Sequence, residues 1–271
     1  MKKKCVFLMV AAVLLAACSN EETQTPQPTS VTLTFSPYTM EAMTRTATSI
    51  ASLVTHLDVW LVEGGNTVAI HQTSSDANFG TITATLDKTK TYTLYAIAHK
   101  ATGQATLTDN IIAFPDDKVT HSMFYTTTFT PATTTSLSCL MNRIVADFRL
   151  EITDDIPAAV KILRFTINGI FDRWNVSTGA THGLDRVSTI SYNGSSSIFN
   201  VYAIVTDVQT THTVTVEALD ANDDIVQARV FEDVPLRNGY KTSYRGTFFI
   251  DTQMTMSFTV GDWNEYDTVE F

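Results

Sequence analysis

Cysteine is nearly absent from this chain: there are three in 271 residues, two of them within the first 18. That scarcity excludes a disulfide framework and any cysteine-rich zinc site. Basic residues are also few, 18 against 28 acidic, which leaves a formal charge of −10. A molecule with that field repels nucleic acid and anionic lipid headgroups alike. No phosphate-binding loop, dinucleotide fingerprint, nucleophile elbow or paired-histidine zinc motif occurs. Amphipathic helical patterns are scarce too. Within residues 40–54 only Ile50, Leu53 and Val54 fall at helical spacing, and the threonines around them argue against a helix.

What the sequence does contain is threonine, 45 residues, within a composition that is 44% hydrophobic. Branching at Cβ suits a pleated surface, so the bulk is expected to be all-β. The clearest strand covers residues 144–152, where Ile144, Ala146, Phe148, Leu150 and Ile152 alternate with Val145, Asp147, Arg149 and Glu151. One face of it is expected to be core and the other wet. Leu57, Val59 and Leu61 repeat the pattern against His56, Asp58 and Trp60, and Val214, Val216 and Ala218 repeat it against Thr213, Thr215 and Glu217. Residues 92–98 and 198–205 are apolar on both sides, as in central strands covered on both faces. Turn residues punctuate these runs at Gly64-Gly65, Asn193-Gly194 and Asn238-Gly239.

The N-terminus has the form of a secretory signal, with Lys2, Lys3 and Lys4 ahead of an apolar stretch at 6–15 that is too short to span a bilayer stably. It runs into Leu15-Ala16-Ala17-Cys18, which resembles the lipobox of bacterial lipoproteins. That resemblance implies cleavage between Ala17 and Cys18 and a lipid on the Cys18 thiol. Removal of residues 1–17 takes away three lysines and brings the charge to 15 minus 28, or −13. Two or three acyl chains at about 0.8 kcal/mol per buried CH₂ anchor a protein firmly. Ser19-Asn20-Glu21-Glu22 resembles the acidic signal that sends Bacteroidetes lipoproteins to the outer face of the outer membrane. Residues 18–30 lack large apolar side chains and hold Pro26 and Pro28, so they are expected to form the lipidated cysteine and a flexible linker.

Residues with chemical potential are scattered. The histidines at 56, 71, 99, 121, 182 and 212 stand singly, and Cys139 lies in an apolar run, as a small core residue does. Asp116-Asp117, Asp154-Asp155 and Asp223-Asp224 sit between strand runs, where aspartate favours turns. Residues 220–224 open like a calcium loop, but Ile225 and Phe231 stand where that loop needs glycine and a bidentate glutamate, so a hairpin turn is expected. Trp60, Trp174 and Trp263 are read as packing aromatics; gathered and exposed in one cleft, they would make a sugar platform instead. No catalytic residue, metal site or cofactor is expected.

Several short motifs occur in a telling order. Leu140-Met141-Asn142-Arg143-Ile144-Val145-Ala146-Asp147-Phe148 resembles the strand that opens the second domain of the FimB-type family, the fimbrillin-associated anchor and minor fimbrial subunit lipoproteins of Bacteroidales. Residues 234–242 followed by Gly246 are similar to that family's late Pro, Asn, Thr and Gly pattern. Gly261-Asp262-Trp263 with Val269-Glu270-Phe271 is similar to its final segment, and Thr44-Arg45-Thr46 ahead of residues 57–62 to its N-terminal pattern. The resemblance implies two tandem transthyretin-like β-sandwich domains, placed here at residues 31–137 and 138–271, the junction lying in the threonine-rich stretch with Pro131. It further implies a non-enzymatic, surface-exposed outer-membrane lipoprotein whose partners are other fimbrial subunits, joined by donor-strand exchange. Arg45 is the position at which a trypsin-like protease would release the first strand in a stalk subunit. Because such a cut would part the fold from Cys18, and no spare appendage is evident after Phe271, an uncut anchor is expected. The alternative is a glycan-binding surface lipoprotein of a polysaccharide-uptake system.

Overall fold

The computed structural model describes residues 26–38, 49–250 and 257–262. It is nearly all strand. In chain order the strands are β1 (Pro28–Pro37), β2 (His56–Glu63), β3 (Asn66–Thr73), β4 (Thr81–Asp87), β5 (Tyr92–His99), β6 (Thr106–Thr108), β7 (Ile111–Ala113), β8 (Ser122–Phe129) and β9 (Ser136–Arg143). There follow β10 (Ala146–Ile152), β11 (Ile162–Asn175), β12 (Gly179–Ser191), β13 (Ile198–Ala203), β14 (Thr210–Leu219), β15 (Ile225–Leu236), β16 (Tyr240–Gly246) and β17 (Ser257–Asp262). A 3-10 turn at Ile50–Ser52 is the described part of the segment with weak helical spacing.

One pairing pattern occurs twice. In the first half, β3-β2-β5-β8 form one layer and β9-β1-β4 the other, with β8 and β9 joining them at a corner. In the second half, β12-β11-β14-β15 form one layer and β13-β10-β16-β17 the other. The opening strand of each half runs parallel to a late one, β1 with β9 and β10 with β16, and antiparallel to the fourth strand of its half, β4 or β13. The layers of each half close over their own core, the geometry of a β-sandwich. Val31, Leu33, Leu57, Val59, Leu61, Leu94, Cys139 and Met141 fill the first, and Phe148, Leu150, Leu163, Phe165, Val216, Phe231 and Phe248 the second. Each large apolar side chain sealed in this way contributes about 1.5–3 kcal/mol.

A third cluster lies between the halves. The β6–β7 hairpin, inserted between β5 and β8, pairs with the far end of β11 at Arg173–Asn175. Its Ile112, with Phe114, covers Trp60, Ile97 and Phe124 on the outer face of the first sandwich. This cover corrects the expectation of a one-sided strand at 57–61, since Asp58 and Trp60 are as buried as Leu57 and Val59. The strand around Phe148 keeps Arg149 and Glu151 half-exposed, but its Asp147 is fully buried. Residues 198–205 differ from expectation as well: β13 is an edge strand with Ile198 and Asn200 exposed.

Turns follow the sequence closely. Gly64 and Gly65, both with positive φ, close the β2–β3 hairpin, and Asp220 closes β14–β15 by accepting the N–H groups of Asn222 (2.8 Å) and Asp224 (3.0 Å). Leu137, the expected domain junction, falls inside β9, and β1 begins at Pro28, within the expected linker.

Candidate functional site

β1 is the strand on which a subunit-exchange mechanism would act. Its apolar residues alternate with hydroxyl residues, so Val31, Leu33 and Phe35 enter the core while Ser30 and Thr34 stay exposed. It is a central strand, held antiparallel by β4 from Pro28 to Thr34 and parallel by β9 from Thr32 to Pro37. Its ends are tied down: Lys88 N–H donates to the Gln27 carbonyl (2.9 Å), and Tyr38 N–H to the Met141 carbonyl (2.8 Å). Phe35 N–H donates to Gly80 O at 2.8 Å. Gly80 has φ +89°, and a Cβ there would meet Ile50 at 3.2 Å, so glycine is what lets the chain pass so close to β1. Without β1 the first sandwich would hold an apolar groove between the edges of β4 and β9.

The sequence-expected sites at Ala17, Cys18 and Arg45 lie outside the described residues, as does Trp263. Cys139 is where the sequence puts it, sealed in the first core, where burial pushes its thiol up to about 12. Trp60 and Trp174 pack in the cluster between the halves rather than together in an exposed cleft.

Sequence reasoning missed a convergence of three histidines. Asp58, fully buried, accepts from His71 Nδ1 (2.6 Å), His99 Nε2 (3.0 Å) and the Ala105 N–H (3.0 Å). The His56 ring stacks on His99 with centroids 5.3 Å apart. The signal was present in the hairpin: a two-residue turn at Gly64-Gly65 pairs residues whose numbers add to 129, which sets Asp58 against His71. A buried carboxylate with this many donors pins β2, β3, β5 and the loop leading to β6 together. Among the described residues no group of His, Cys, Asp or Glu is arranged to hold a metal ion.

Two further titratable groups lie where the halves meet. His121 donates from Nδ1 to the Leu53 carbonyl (3.1 Å) and accepts from Arg143 Nε (3.0 Å), and burial lowers it to about 4. Asp147 has Asn200 Nδ2 at 3.4 Å, and burial raises it to about 6 against the pull of Lys241 and Arg149. His182 Nδ1 pairs with Asp172 at 2.8 Å, and His212 lies between Thr210 and the Asn168 carbonyl.

The fold matches solved structures from Bacteroides species. A candidate cell adhesion protein from Bacteroides uniformis is 14% identical, with 87% of this chain and 98% of that chain covered and a TM-score of 0.50. A candidate adhesin from Bacteroides ovatus is 12% identical, covering 87% and 94%, with a TM-score of 0.51. A candidate polysaccharide-binding protein from Bacteroides thetaiotaomicron is 10% identical, covering 87% and 98%, with a TM-score of 0.50. At these identities the likeness is one of fold. No protein-family model and no curated protein matches the chain.

Proposed function

We propose that this protein is a non-enzymatic fimbrial subunit on the cell surface, held at the outer membrane by a lipid on Cys18 and retained there uncut. The observation that carries this reading is the position of β1. Cys18 stands ten residues ahead of Pro28 in the sequence, where a central strand begins whose neighbours grip it on both sides. Tension along the strand would load its hydrogen bonds together rather than one at a time, which is what an anchor needs. The same β1 slot is the place where a stalk subunit would exchange its first strand for a neighbour's. In the anchor the strand stays. The adhesion proteins of similar fold support a surface role, and the packing of Trp60 and Trp174 between the halves favours it over a tryptophan-lined sugar platform.

The test is co-purification. Shear-released and membrane-retained fractions are compared for wild type and Cys18→Ala, with an alkyne fatty acid reporting the lipid. Wild type is expected to carry label and to retain polymerised pilus at the membrane. Label on the Cys18→Ala protein, or a pilus held at the membrane without Cys18, would overturn the anchor.

A further inference from the structure

The twofold repeat of strand order sets up a comparison of two equivalent places. In each half the third and fourth strands lie in opposite layers, at the same open side of the sandwich, joined by residues 74–80 in the first and 192–197 in the second. In the first half Gln72 closes that side. Its Nε2 donates to the carbonyls of Asn78 (3.4 Å) and Thr81 (3.0 Å), and its Oε1 accepts from the Gly80 N–H (3.0 Å). In the second half β12 and β13 stand apart across a cleft of about 800 Å³, lined by residues 187–191 of β12, 200–202 of β13 and the turn at 116–120.

Consecutive residues of β12 line this cleft, so the strand presents its edge rather than one face. The hydrogen bonding says which groups are on offer. Tyr192 N–H donates to the Lys161 carbonyl (2.7 Å), a bonded pair in a ladder whose partner numbers add to 353. Antiparallel pairs alternate, so Ser188 and Ile190 turn their main-chain groups toward β11, while Val187, Thr189 and Ser191 turn theirs to the cleft. Among the described residues β12 pairs with β11 alone.

Native edges are normally blunted by charge, proline or a bulge. β15 carries Pro235 and two register breaks, and on β13 the Ser196 hydroxyl occupies both the N–H (3.2 Å) and the carbonyl (2.8 Å) of Ile198. Residues 187–191 have no charge, proline or glycine, their register is unbroken, and Val187 is 56% exposed. The 116–120 turn lines the same cleft as this edge. Asp116 and Asp117 stand on that turn with positive φ, and it is held by Arg186, 8% exposed, whose Nη1 donates to the Asp117 carbonyl (2.7 Å). Backbone in that region is costly and tends to gather where ligands bind. The Asp117 carboxylate has Arg173 Nη2 at 3.9 Å and remains 68% exposed, so it is open to a further cation.

We propose that the cleft between β12 and β13 receives a single extended segment of another polypeptide as an added strand on the β12 edge, with uncharged β-forming residues along 187–191 and a basic residue against Asp116 and Asp117. Residues 187–191 offer roughly 17 Å of edge, enough for a guest of about five residues. This goes beyond the fimbrial reading, which concerns β1 in the other half, and stands without it.

Fluorescein-labelled Lys-Thr-Val-Thr-Val-Thr-Lys, its Asp-ended counterpart and a version with proline at the centre would be titrated against the soluble protein by anisotropy. The Lys-ended peptide is expected to bind at least tenfold tighter than either other. Thr189→Pro should abolish that binding with an unchanged melting temperature, because the Thr189 N–H points away from β11 and no ladder bond is lost. Should that variant misfold, Asp117→Lys at the exposed lip is expected to invert the preference toward the Asp-ended peptide. No binding by the Lys-ended peptide, equal binding by all three, or insensitivity to a folded Thr189→Pro would overturn the proposal. So would displacement of the peptide by maltotetraose, which would make the cleft a sugar site.

Discussion

β1 and β10 hold equivalent positions in the two sandwiches, and they differ in how each is joined to the rest of the chain. β1 is held by β4 on one side and β9 on the other, and it turns Ser30 and Thr34 to solvent. β10 follows β9 after only Ile144 and Val145, both buried, and its outward-facing Asp147 is sealed where the halves meet. The lesson is that a repeated topology gives equivalent strands different surroundings. One central strand has its outward-facing Ser30 and Thr34 in solvent, and the other follows its predecessor after two buried residues and carries the buried carboxylate of Asp147.

The largest effect that sharpens this comparison is at the β10 core position. Phe148→Asp places an unpaired carboxylate among Phe165, Phe231 and Tyr244 and should cost more than about 4 kcal/mol, in practice unfolding the second sandwich. Arg149→Asp on the half-exposed face loses a 3.5 Å contact to Glu151 and should cost about 1 kcal/mol or less. Denaturant melts compare them, and equal midpoints would refute the alternation.

A smaller effect distinguishes the charges at the junction. Asp147, raised from 3.8 to about 6, binds more protons folded than unfolded, so its contribution is present below 3.8 and is lost as pH rises through about 6. His121, lowered from 6.5 to about 4, behaves oppositely: its contribution is present above 6.5 and is lost as pH falls through about 4. Asp147→Asn should therefore stabilise by about 1–3 kcal/mol at pH 7.5 and by little at pH 3.5. His121→Gln should flatten the loss of stability between pH 6.5 and 4. Equilibrium unfolding across that range checks both, and a pH-independent gain for Asp147→Asn would rule out the desolvated carboxylate.

How much of this was legible in the sequence depended on whether the cause was local. The alternation at 214–218 and the turns at Gly64-Gly65 and Asp220 are set by neighbours in the chain, and they appear as read. The burial of Asp58 and Trp60 was not legible, because the hairpin that covers them is inserted some 50 residues downstream and hydrogen-bonds to the other half. β13 has a run of apolar residues suited to a central strand, yet it lies at an edge, since apolarity reports what covers a strand's faces and says nothing of its flanks. The histidines looked single because only strand register brings 56, 71 and 99 around Asp58.

The central claim is that β1 remains joined to Cys18 at the cell surface. Intact-mass and N-terminal peptide mass spectrometry of surface-purified protein tests it most directly. The account predicts a lipidated chain running from Cys18 through Arg45 into the folded part, whereas a mature form beginning at Thr46 would contradict it.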